Sequence, residues 1–182
     1  MTEKSRESAD QNVRLAEFSA LRAEITHRLA TQQALIALNL TAVATIAGFA
    51  LTHRSSQRLL LLNPAISSTL GLLWLHQGRG IGLLGRYIRE QLWIWHPSWD
   101  EWRMRVQSSD WLGVVVYTLP VAAVYIASAV VPLVVAWPGS PDTATVTLLG
   151  LDIASTALLI YAWAEMLAAI VRQRAGVSAP SG

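Results

Sequence analysis

The chain contains no cysteine, which excludes disulfide bonds, thiolate nucleophiles and cysteine metal ligands. Charged residues are also scarce, because they make up 14% of the chain, against about a quarter in soluble domains. Hydrophobic residues make up 53%, more apolar surface than a soluble fold of this length can bury. We therefore predict an integral membrane protein with a single membrane domain over residues 1–182.

Catalytic and metal-binding motifs are absent as well. No HExxH, GxSxG or phosphate-binding glycine loop occurs, and the histidines lie on separate segments, at positions 27, 53, 76 and 96. Gly80, Gly82 and Gly85 match the GxGxxG spacing, but no predicted strand precedes them. We therefore expect a non-enzymatic protein with no cofactor and no bound metal. The formal charge of +2, with no continuous basic patch, argues against nucleic-acid binding.

What the sequence does contain is a set of long apolar segments. They predict an all-α, polytopic membrane protein with transmembrane helices at 34–52, 59–77, 111–136 and 145–171. Pro120 and Pro132 predict kinks or local irregularity in the third helix. Trp111 and Trp137 bracket that helix as interfacial anchors.

A helical pattern precedes the first span. Residues 1–33 are predicted to form a long cytoplasmic helix, in which Glu24 precedes Arg28 by the four residues that favour an ion pair. No glycine or proline lies between this pattern and the first span, so the helix is expected to continue into it. Two interpretations stay open, namely a helix folded against the membrane and a packing helix that joins copies of the chain.

The positions of lysine and arginine predict the orientation. The N-terminal segment holds five, the first loop two, residues 78–110 five, the last loop none and the tail two. With four spans, both termini in the cytoplasm place twelve basic residues inside and two outside. The expected location is the cell (inner) membrane, crossed several times, with residues 78–110 on the cytoplasmic face.

Residues 78–110 are rich in tryptophan and arginine. Apolar residues at helical spacing predict a helix along the membrane surface, broken at Pro97. Ser98 and Glu101 then form a capping box for a second short helix. The tryptophans favour a belt at the lipid headgroups over ligand stacking, and the nearby arginines would hold lipid phosphates. These predicted anchors are Arg79, Arg86, Arg89, Trp93, Trp95, Trp99, Trp102 and Trp111.

Polar residues inside the spans are the candidate intramembrane or pore residues. They are Asn39, Thr41, Thr45, Asn63, Asp152 and Glu165. Asn39 should find a hydrogen-bond partner, because unpaired polar groups in hydrocarbon are unfavourable. We favour structural pairing of the two carboxylates over proton or ion handling. The expected partners are Arg54, Arg58 or Asn63 for Asp152, and Asn39, His76 or a basic residue of 78–110 for Glu165.

Small residues recur on the first two spans. Ala37, Thr41, Thr45 and Gly48 form one stripe, and Ser67 and Gly71 form a second pair. In lipid such residues favour close helix packing, and a pore lining is the alternative.

The segments GRYIREQLW and WDEW, together with LRAEI and QQALIALNL, resemble small, uncharacterised integral membrane proteins that recur in actinobacteria. That resemblance carries no assigned function. A cytoplasmic helix leading into paired membrane helices also resembles the SLATT-type effectors of bacterial conflict systems, whose proposed activity is pore formation. Those effectors have two spanning helices, whereas this chain has four predicted ones. We therefore assign no residue of this chain a role from that family.

The leading hypothesis is a homo-oligomeric membrane protein that acts as a channel or membrane-permeabilising effector, in contact with membrane lipids. The alternative is a structural or partner-binding subunit whose residues 78–110 dock a cytoplasmic protein. An intramembrane enzyme that uses Asp152, Glu165 and His76 is the third hypothesis.

Overall fold

The computed structural model describes residues 3–53, 59–92, 111–135 and 143–177. Its elements are all helical within those ranges. They are α1 (Glu3–Thr52), α2 (Leu62–Tyr87), α3 (Trp111–Val135) and α4 (Thr143–Val177), with a π-helical turn at Ile88–Leu92 that continues α2. Four helices are long and apolar enough to cross a membrane. The prediction of an all-α chain with four such helices is confirmed.

Helix α1 joins the polar N-terminal pattern and the first apolar segment into one helix of 50 residues. At 1.5 Å per residue it is about 75 Å long. The uninterrupted helix was predicted from the absence of glycine and proline before Gly48, because neither helix breaker weakens the backbone there. The Glu24–Arg28 pair also forms, with 2.7 Å between Arg28 Nε and Glu24 Oε1.

Helix α2 is the central helix, because it packs against α1, α3 and α4. Its Gly71 allows the closest approach, since a Cβ there would lie 2.7 Å from Leu159 Cδ1 on α4 and 3.3 Å from Tyr125 Cγ on α3. Ser67 and Gly71 are both buried, so the close packing predicted for this small pair is confirmed. The surrounding core consists of Leu70, Trp74, Leu75, Ala122, Tyr125, Leu159 and Trp163.

The structure corrects the prediction that a separate surface helix begins at residue 78. α2 continues without a break to Tyr87, and the Tyr87 hydroxyl donates to Glu17 Oε1 at 2.8 Å. This part of α2 therefore packs along α1. The glycines do not interrupt it: Gly80 makes room for the Arg28 guanidinium, and nothing lies within 4 Å of a Cβ at Gly82 or Gly85.

The third and fourth predicted spans correspond to α3 and α4. α3 contains both Pro120, which is exposed, and Pro132, which is buried, and it remains one helix. α4 extends past the predicted 145–171 by two residues at its start and six at its end. Trp93, Trp95, Trp99 and Trp102 lie outside the described residues, as do Pro97, the capping box, the second short helix and Trp137. The same holds for the side chains of Arg89 and Trp111.

A buried polar core between the four helices

Contacts between side chains show how the helices are aligned. Along α1 and α2 the pairs Glu17–Tyr87, Arg28–Gln77 and Gln32–Trp74 show that these helices run antiparallel. Trp74 stacks on Trp163, with ring centroids 5.3 Å apart and ring planes 19° apart. Because Gly71 and Trp74 meet Leu159 and Trp163 in the same order, α2 and α4 run parallel. We call the end where α1 leads into α2, and α3 into α4, the loop end.

Continuing this alignment toward the loop end brings polar residues of several helices to one level. Ser67 and Ser68 of α2 lie level with Asn39 of α1 and Thr156 of α4. Asn63 and Asp152 lie level with each other about one turn nearer the loop end. All six are buried, and we call them the polar core: Asn39, Asn63, Ser67, Ser68, Asp152 and Thr156.

Asn39 has a hydrogen-bond partner, as predicted. Its Nδ2 donates to the Ser128 hydroxyl of α3 at 3.3 Å, which links α1 to α3. The oxygen of the same amide has no such partner: Asn39 Oδ1 is buried, and no described residue donates a hydrogen bond to it. The same side chain therefore ties two helices together and leaves an acceptor facing the interior.

The rest of the polar core is largely unpartnered. Within the described part of the chain, no hydrogen bond reaches either amide atom of Asn63, the hydroxyls of Ser67, Ser68 and Thr156, or Asp152 Oδ2. Each such buried group is unfavourable by about 1–3 kcal/mol, and native proteins keep few of them. Their concentration at neighbouring levels marks the core as the candidate functional site.

Asp152 is the charged member of this core, at 2% exposure. Its predicted pairing with Asn63 does not form as a hydrogen bond, although the two residues lie at one level. Arg54 and Arg58, the other predicted partners, lie outside the described residues. No salt bridge to Asp152 is made by the lysines, arginines or histidines in residues 3–53, 59–92, 111–135 and 143–177.

Glu165 has a different environment from Asp152. Its side chain is 47% exposed and lies 3.4 Å from Arg172 Nη2, on the same helix. Of the expected partners, Asn39, His76, Arg79 and Arg86 make no hydrogen bond or salt bridge to Glu165. The side chains of the other basic residues of 78–110 lie outside the described residues.

Thr41 and Thr45 lie outside the polar core. Both are exposed, as are Ala37 and Gly48, so the predicted small-residue stripe lies on the outer face of α1. The two threonine hydroxyls donate to the backbone oxygens of Ala37 and Thr41, each at 2.8 Å. Both hydroxyls are thus hydrogen-bonded within α1. The face of α1 that carries these four small residues is not covered by another helix of the same chain.

A second polar contact joins α1 to α2 near Gly80. Arg28 Nη1 donates to Gln77 Oε1 at 3.2 Å, and Gln32 Nε2 donates to the backbone oxygen of Trp74 at 3.1 Å. Gln32 is buried and Arg28 is partly buried. Arg79 and Arg86, predicted as lipid anchors, are exposed on the same helix.

The residues proposed for an intramembrane enzyme do not converge. Asp152 and Glu165 are thirteen residues apart on α4, which is about 20 Å along the helix axis. Among the described residues no group of three or more His, Cys, Asp or Glu is placed to hold a metal ion.

Several members of the polar core were not singled out from sequence. The sequence indicated Ser67 only as a small packing residue, and it did not indicate Ser68 or Thr156. Nor did it indicate Ser128, the partner of Asn39. Serine and threonine are common in membrane helices, so their identity gives no signal. These residues can be identified only when the alignment of α2 with α1 and α4 is known. That alignment depends on tertiary contacts.

Comparison of the chain with protein-family models, with curated proteins and with solved structures finds no match.

Proposed function

We propose that this chain is a multi-pass protein of the cell (inner) membrane with both termini in the cytoplasm. The four long apolar helices support membrane insertion. The basic residues support the orientation, with twelve on the side of the termini and two on the other.

Within that membrane, the chain assembles into a non-enzymatic homo-oligomer that acts as a channel or membrane-permeabilising effector. One observation carries this proposal: in the single chain 11% of the most apolar stretch of α1 is buried, compared with 50% for α2, 28% for α3 and 22% for α4. The uncovered side carries Ala37, Thr41, Thr45 and Gly48, whose small side chains allow a second helix to approach closely. A conducting path would lie between protomers.

Substitution of Gly48 by leucine tests assembly and conduction together. No atom lies within 4 Å of a Cβ at Gly48, so Gly48→Leu should leave the single chain folded and block only a neighbouring copy. Gly150→Leu on α4 is the matched control, because Gly150 is equally open and exposed. We expect Gly48→Leu to reduce both the oligomer mass in nanodiscs and ion flux into liposomes, with Gly150→Leu unchanged. A monomeric wild-type protein, or full flux from Gly48→Leu, would refute the proposal.

The alternative is a membrane subunit that docks a cytoplasmic protein. It is favoured by Arg79 and Arg86, which are exposed and form no ion pair with another described residue. On this alternative, charge reversal at Arg86 and Arg89 abolishes capture of a partner and leaves ion flux in liposomes as it was. Loss of flux in that variant without loss of a partner would favour the channel.

A further inference from the structure

The polar core has an unusual balance of hydrogen-bonding groups. Its unpartnered atoms include three that only accept, namely Asn39 Oδ1, Asn63 Oδ1 and Asp152 Oδ2. A single group, Asn63 Nδ2, only donates, and the hydroxyls of Ser67, Ser68 and Thr156 can do either. The core therefore presents an excess of oxygen atoms to whatever occupies it.

The core also has an unbalanced charge. Asp152 is 2% exposed. No lysine, arginine or histidine in the described part of the chain forms a salt bridge with it. An isolated carboxylate is strongly disfavoured in an apolar interior unless a positive charge or a proton neutralises it. Water molecules would satisfy the hydroxyls and amides, but they would bring no charge to Asp152.

We propose that the polar core binds a monovalent alkali-metal cation, with Asp152 as its charged ligand and the oxygens of Asn63, Ser67, Ser68 and Thr156 as neutral ligands. One positive charge balances one carboxylate, whereas a divalent ion would leave the interior with net charge. Hard cations prefer oxygen ligands, and the core supplies them from α2 and α4. The site lies inside one chain, so it does not depend on assembly through α1.

Sodium is the probe for this site. The purified protein in mild detergent is unfolded by heat while sodium chloride replaces choline chloride at constant ionic strength, and binding of radioactive sodium is measured in parallel. A ligand that binds the folded state raises the unfolding midpoint as its concentration rises. We expect a saturable rise in the midpoint together with saturable sodium binding. The same midpoint in choline chloride, sodium chloride and potassium chloride would overturn the proposal.

Asp152→Asn is the deciding variant. It removes the charge while keeping the size of the side chain, so it should fold at least as stably as the wild type without sodium but lose the sodium response. Thr156→Val, which removes one neutral ligand and keeps the shape, should weaken sodium affinity by about 10-fold or more, as losses around metal sites do. Glu165→Gln on the same helix is the matched control and should respond as the wild type does.

Two competing occupants predict other outcomes. If a proton neutralises Asp152, the midpoint follows pH and is indifferent to sodium, and this result would overturn the cation site. If Arg54 or Arg58 pairs with Asp152, sodium has no effect and Arg54→Gln or Arg58→Gln destabilises the protein. A sodium response that survives in Asp152→Asn would likewise refute the assignment.

Discussion

Gly71 shows how one residue decides the packing of three helices. A Cβ at this position would lie 2.7 Å from Leu159 Cδ1 and 3.3 Å from Tyr125 Cγ, and both of those side chains are fully buried. Neither neighbour can move without displacing others in a densely packed core. The sequence predicted a small-residue contact here, because Ser67 and Gly71 are four residues apart, but it did not identify the neighbours.

Gly71→Ala should therefore destabilise the bundle by about 1–3 kcal/mol, the usual range for overpacking a core. Gly82→Ala on the same helix is the control, because nothing lies within 4 Å of a Cβ there. That change should be neutral or stabilising by about 0.5–1 kcal/mol, since glycine weakens a helix interior. Unfolding of both variants in mixed micelles measures the difference. Equal stability of the two variants would contradict the packing shown at Gly71.

At the scale of the helices, the junction of α1 and α2 explains why residues 78–87 continue α2 and do not begin a separate helix. Gln77 accepts a hydrogen bond from Arg28, and Tyr87 donates one to Glu17. These contacts hold α2 against the first half of α1 beyond the predicted span. The periodicity of apolar residues predicts a helix here, and residues 78–92 are helical. It did not reveal whether the apolar face meets lipid or another helix, because both surfaces favour the same residues.

Arg28→Ala should destabilise the α1–α2 junction by about 1.5–3 kcal/mol, as expected for hydrogen bonds made by a charged group. A double-mutant cycle with Gln77→Ala measures the part due to the 3.2 Å contact. Arg14→Ala is the matched control on the same helix, since the Arg14–Asp10 pair is exposed and 3.9 Å long. It should change stability by less than about 1 kcal/mol. Additive effects of Arg28→Ala and Gln77→Ala would argue against their coupling.

For the whole molecule, the distribution of basic residues predicts which end of the bundle faces the cytoplasm. The absence of cysteine allows a direct test, because a single introduced thiol is the only one in the protein. His53 and Ser8 are exposed near opposite ends of α1. In intact cells, His53→Cys should react with a membrane-impermeant maleimide and Ser8→Cys should not.

Permeabilised cells provide the control, since both thiols should then react. Labelling of Ser8→Cys before permeabilisation would reverse the proposed orientation. Equal labelling of both thiols in intact cells would mean that α1 does not cross the membrane.

The sequence by itself determined that the chain forms four long apolar helices. Long apolar segments and scarce charges predict four helices, because backbone groups in hydrocarbon must be hydrogen-bonded within the chain. The lack of breakers predicted the continuous α1, and the spacing of Glu24 and Arg28 predicted their pair. These features depend on neighbours within a few residues, so local sequence is sufficient.

The tertiary structure alone decided which polar residues come together. Asn39, Ser67 and Thr156 come from three helices, and their common level depends on contacts such as Gly71 with Leu159 and Trp74 with Trp163. A shift of one helix by a single turn, about 5.4 Å, would separate them. For the same reason Asp152 and Glu165, which look alike in sequence, differ in the fold: Asp152 faces the polar core and Glu165 pairs with Arg172 at the surface.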